Sequence, residues 1–150
     1  VPNSGKSYIE TVDAIKVVRD AEGIPVIAHP GAYGLDMAIN DLIPIWIDAG
    51  AMGIEVLYPS HTPRDAEAYK RIAEEHKLLK TAGTDYHGNR AAELLPDKLK
   101  EETQRRYAVI GEIVLRGTDE ITRAPLEYAE NLVRQAEKVK GHSYFEKYSS

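Results

Sequence analysis

Three short apolar runs set the architecture open to this chain. They are Ile24-Pro25-Val26-Ile27-Ala28, Gly53-Ile54-Glu55-Val56-Leu57-Tyr58, and the stretch from Leu78 to Thr84. Each has strand length, and the first two are rich in β-branched residues and broken by Pro or Gly. Between them the sequence repeats with helical spacing. Ile9, Val12, Ile15, Val18 and Ala21 predict an amphipathic helix that opens with a capping box, Ser7 to Glu10, and ends at Gly23. Ala38 to Ala49 predicts a second helix, limited or kinked at Pro44 and closed by Gly50. Thr62-Pro63-Arg64-Asp65 predicts a third helix start, with a Thr cap, Pro at the first position and an acid in the first turn. Ala66, Tyr69, Ile72 and Ala73 form its buried face, out to about His76. Helix and strand alternate three times over residues 7–88. Short buried strands separated by helices argue for a parallel α/β sheet with right-handed crossovers.

Past Asn89 the character changes. Pro96 to Arg116 predicts a charged helix ending near Gly117, and Pro125 to Lys140 another, stopped by Gly141. His142 to Ser150 reads as a polar end that frays. Two units are therefore expected, an α/β part over 1–90 and a helical extension over 91–150.

Composition removes several function classes. The net charge is -5 and no basic block stands out, so electrostatic wrapping of duplex DNA is not expected. A small nucleotide at a metal site stays open, because the metal supplies positive charge. The absence of cysteine excludes disulfides, thiolate ligands and a cysteine nucleophile, and it agrees with a cytoplasmic protein. No apolar run approaches ~18 residues, so no transmembrane helix is expected. Val1-Pro2-Asn3-Ser4 lacks both Met and a signal pattern, which fits a processed product, a cloned piece or part of something longer.

The chemistry-bearing residues fall at strand ends. His29 follows the first strand, Glu55 lies in the second with His61 just beyond it, and Asp85 and His87 follow the third. In parallel α/β architectures ligands gather at the C-terminal strand ends. Asp85 and His87 are two apart, so on an extended strand end both point to one side and form half of a divalent-metal site. Glu55 alternates with Ile54 and Val56, and an acid there needs a cation or hydrogen-bond donors. His61 stands just before a helix N-terminus, where anions are favoured. Plainer readings stand beside these: a strand-end histidine held by a backbone hydrogen bond, a solvated loop histidine, and a Glu55 ion pair. His76, in the last helical turn, reads as structural.

The segments Ile24 to Gly31, Gly53 to Pro63 and Gly83 to Gly88, in this order and spacing, resemble the PHP (polymerase and histidinol phosphatase) family. The likeness is to its small metal-dependent phosphoesterases, which act on nucleoside 3′,5′-bisphosphates and short RNA ends. It covers roughly residues 2–90. The resemblance implies a distorted β/α barrel with two or three divalent metals at the C-terminal strand ends. It implies His29, Asp85 and His87 as metal ligands, His61 beside the substrate phosphate, and Glu55 in support. The metals, Mn²⁺, Zn²⁺ or Fe²⁺, would activate water for attack on phosphorus.

The sequence departs from that family in one large way. The family's opening His-x-His is not in these residues: no His precedes His29, and no two His are two apart. A β/α barrel usually needs about 250 residues. The expectation is therefore a partial barrel, three parallel strands alternating with helices and followed by a helical tail, with only part of the metal cluster and little activity alone. Rival readings are a non-catalytic half-barrel whose exposed sheet edges pair with a second copy, and a histidinol-phosphate-type phosphatase. Lys80, inside the third strand, is unexpected for a buried position.

Overall fold

The computed structural model describes residues 9–33, 38–84 and 111–141. Within them the elements run α1 (Thr11–Asp20), β1 (Val26–Ile27), a 3-10 turn (Pro30–Tyr33), α2 (Ile39–Ala49), β2 (Gly53–Leu57), α3 (Pro63–Glu75) and β3 (Leu79–Ala82). A hairpin of β4 (Glu112–Val114) and β5 (Ile121–Arg123) follows, and then α4 (Leu126–Lys140). The α/β alternation expected from the sequence is present. β1, β2 and β3 form one parallel sheet in that order, followed by a C-terminal helix. Val26 pairs with Gly53, and Gly53 with Leu79. Past Glu55 the β2–β3 register shifts, so Leu57 comes opposite Ala82. A bulge of this kind re-aims the strand end next to a loop.

β2 is the centre of the core. Ile54 and Val56 are fully buried on it, and α3 covers it with Ala66, Tyr69, Ile72 and Ala73. Each such aliphatic side chain contributes about 1.5–3 kcal/mol of transfer free energy. α1 and α2 pack on each other, with Ile15 from the first and Ile39, Ile43 and Trp46 from the second entering the same core. Pro44 does not end α2. It lies on the exposed side, so the carbonyl it leaves without an intrahelical donor faces water. Gly50 closes α2 at φ +109°, a conformation that only glycine adopts without strain.

Three expectations change. α1 starts at Thr11 with Glu10, the expected third helical position, itself in the cap position and without a side-chain cap bond; Ser7 lies outside the described residues. Ile9 is 61% exposed and lies off the buried stripe, which is why the periodicity starts one turn later than its apolar pattern suggests. Residues 112–114 form a strand where the charged stretch to Arg116 predicts a helix. Gly111 and Gly117, both at φ +85°, bracket a β-branched pair, Ile113 and Val114, and Ile113 is fully buried. Burial of one alternate residue decides in favour of the strand. Glu112 pairs across the hairpin with Arg123 at 3.0 Å. The rest of that stretch, 96–110, lies outside the described residues.

Lys80 finds its own solution. Its ammonium reaches Glu74 at 3.1 Å and lies 5.7 Å from the ring centre of Tyr128 on α4. The stem covers apolar surface while the charge stays near water. α4 packs on β3, so this face of the sheet is covered. No helix among the described residues is long and apolar enough to cross a membrane.

Candidate functional site at the strand ends

The parallel register brings the C-terminal ends of β1, β2 and β3 to one edge. Among the described residues two loops leave that edge, residues 28–33 after β1 and 58–62 after β2. They are built on different principles.

The β1 loop turns at His29, whose φ is +30°. That region disfavours any side chain and costs on the order of 1–3 kcal/mol. Glu55 offsets the cost: its Oε2 accepts a 2.7 Å hydrogen bond from the His29 main-chain N–H. A charged acceptor makes this bond short and strong. The 3-10 turn then closes with the Ala32 N–H donating to the His29 carbonyl. The His29 ring is half-buried and lies 4.8 Å from the ring of Tyr58.

The β2 loop is capped locally. The Asp65 main-chain N–H donates to the Thr62 hydroxyl, and the Thr62 main-chain N–H donates to Asp65 Oδ2 at 2.8 Å. Both halves of the capping box are present, with Pro63 at the first position, as the sequence predicts. Burial pushes the Asp65 carboxyl up, but the two hydrogen bonds from Thr62 and the nearby Arg116 outweigh it and hold it below the ordinary value. The hairpin docks here too: the Arg116 main-chain N–H donates to the His61 carbonyl, and its guanidinium is 3.9 Å from Asp65.

The structure buries His61, against the plainer reading of a solvated loop histidine. Its ring is fully buried. Nδ1 is 2.9 Å from the Val56 carbonyl, which can only accept, so Nδ1 carries the proton. The ring lies 5.4 Å from Tyr58 and 4.8 Å from Tyr69. A Cβ at Gly31 would fall 2.9 Å from His61 Cδ2 and 3.0 Å from the Tyr69 hydroxyl, so the β1 loop rests directly on this pair. The anion-attracting start of α3 is already engaged by the chain's own Asp65.

The structure thus joins His29 to Glu55 directly, and His61 to His29 through Tyr58. His76 is the C-cap of α3, in keeping with a structural role. Asp85 and His87 lie outside the described residues, which on this edge run to Thr84. Among the described residues no three His, Asp or Glu side chains converge as a metal cluster requires. Of the expected metal ligands only His29 is described; its main chain is pinned by a carboxylate and its ring lies tilted against Tyr58. Gly31, Gly83, Tyr58 and Tyr69 were not singled out by sequence reasoning as site residues. The available signal was two tyrosines in core positions flanking a histidine, since a buried phenol needs a polar neighbour.

Against this geometry, the relatives are informative. No family model matches the chain. It is 37% identical over 81 residues to a phosphoribosyl 1,2-cyclic phosphate 1,2-diphosphodiesterase of Eggerthella lenta, covering 54% of this chain and 29% of that protein. It is 38% identical over 76 residues to a 3′,5′-nucleoside bisphosphate phosphatase of Chromobacterium violaceum, covering 50% and 27%. It is 29% identical over 75 residues to the 5′-3′ exoribonuclease Rnm of Salmonella typhimurium, covering 49% and 26%. Among solved structures it is similar to an amidohydrolase from Chromobacterium violaceum, solved with sulfate and no metal. There the identity is 35% and the TM-score 0.50, over 57% of this chain and 32% of the other. The curated relatives are hydrolases of phosphate esters. The chain spans less than a third of their length.

Proposed function

We propose that this chain is part of a metal-dependent phosphoesterase of the PHP type that hydrolyses phosphate esters of nucleotides or short oligonucleotides. The observation that carries the reading is the His29 turn. A strained histidine main chain, clamped by a carboxylate from the neighbouring strand, stands at the edge where parallel α/β proteins place their chemistry. The phosphate-ester chemistry named for three relatives supports the reaction class.

In this reading His29, Asp85 and His87 hold divalent metal, which when bound supplies a Lewis acid and lowers the pKa of water. The described residues do the positioning. Glu55 fixes the main chain of His29. Tyr58 presses on the His29 ring and restricts its rotation. His61 keeps one tautomer through Val56 and supports the β1 loop from inside.

Phosphate release from a nucleoside 3′,5′-bisphosphate, measured with the product of the whole gene and added Mn²⁺, tests the proposal. The expected result is metal-dependent turnover that falls roughly 10–100-fold or more in His29→Ala. No turnover with Mn²⁺, Zn²⁺ or Fe²⁺ overturns it.

A further inference from the structure

We infer that Glu55 is a positioning residue: its carboxylate clamps the end of β1 to β2, and Gly83, just past β3, is glycine so that the clamp can close. The two oxygens have separate duties. Oε2 takes the His29 N–H at 2.7 Å. Oε1 occupies the space a Gly83 side chain would need, and a Cβ built there would collide with it. Gly83 has no positive φ, so space rather than backbone freedom calls for glycine. Its own N–H is taken by the Leu57 carbonyl at 3.0 Å, which fixes Gly83 against the end of β2.

The coupling follows from the flexibility of a glutamate. A side chain at position 83 would not be blocked outright, because the carboxylate can swing away. To swing it must release the His29 N–H, and the turn at φ +30° then loses the bond that holds it. A change on β3 is thereby read out on β1, across β2. Asp85 is two residues past Gly83, so the clamp links the stretches that carry the expected ligands. This gives the acid in an apolar strand a duty that needs no contact with substrate.

The test uses amide exchange of His29 in the intact chain, which does not depend on the phosphoesterase reading. Glu55→Ala should speed that exchange at least roughly tenfold. Glu55→Gln, which keeps an acceptor oxygen at the same reach, should restore most of the protection. Gly83→Ala alone should speed exchange at His29 by a similar factor, and should add little in the Glu55→Ala background. Equal effects of Gly83→Ala in both backgrounds, or unchanged exchange in Glu55→Ala, overturns the clamp. If Glu55→Ala does not fold, the Glu55→Gln and Gly83→Ala comparison still decides. A second readout rests on the metal reading. The Mn²⁺ concentration that broadens the His29 imidazole resonances should rise roughly tenfold in Glu55→Ala. Loss of protection with no change in that concentration overturns a positioning role and leaves a purely structural one. No broadening even in the unaltered chain overturns the metal reading, while the exchange data judge the clamp.

Discussion

The two loops at the sheet edge solve the same problem by opposite means. After β2, the chain enters α3 through a capping box whose partners are three residues apart. After β1, it turns at His29 through a bond to a residue 26 positions away. The first loop is unstrained and encoded where it stands. The second is strained and depends on another strand. Strain that is held by distant residues is a common property of functional turns, whereas local caps serve helices everywhere. In the proposed reading the β1 loop belongs to the site and the β2 loop to the frame beneath it.

Four perturbations test this contrast, in falling order of effect. Tyr69 touches both loops, through His61 and through Gly31. Tyr69→Ala should cost about 3–5 kcal/mol in urea unfolding, and it should loosen both loops together in exchange measurements. Glu55→Ala should cost about 1–3 kcal/mol, since the His29 N–H loses its acceptor. Its exchange changes should gather at 29–33 and spare 62–66. Thr62→Ala should cost about 1 kcal/mol, with the reverse pattern: faster exchange at Asp65 and none at His29. A uniform response to either variant would erase the distinction drawn between the loops.

The smallest effect is electrostatic. Asp65 has a lowered pKa in the fold, so its contribution is complete above its unfolded value near 3.8. It is lost as pH falls through the lower folded value. Thermal unfolding followed downward from pH 5 should show this loss in the unaltered chain and less of it in Asp65→Asn. The carboxylate is partly exposed beside an exposed Arg116, so only a fraction of the local cap energy is at stake.

This contrast also explains what the sequence reveals. The α3 cap and its four buried residues were legible because their signals lie within a few positions of one another. The three parallel strands were legible because each is a bounded apolar run between helical repeats. The hairpin was not. Its strands are three residues each, and the charged positions around Ile113 mimic a helical repeat until burial picks the alternate residue. The Glu55 clamp was legible only as a need: an acid in an apolar strand demands donors, but nothing near it in sequence names the His29 N–H as one. His61 shows the same limit. Its position before a helix marks a place that favours anions, and only the packing of Tyr58, Tyr69 and Gly31 shows that the ring lies inside.

The central claim is that the β1 turn presents His29 to a divalent metal. Titration of Mn²⁺ into the intact chain, followed through the imidazole resonances, tests it most directly. His76 at the far end of α3 serves as the internal reference. His29 and His87 should broaden at low Mn²⁺, well before His76. Broadening of all three together, or none at His29 into the millimolar range, would contradict it.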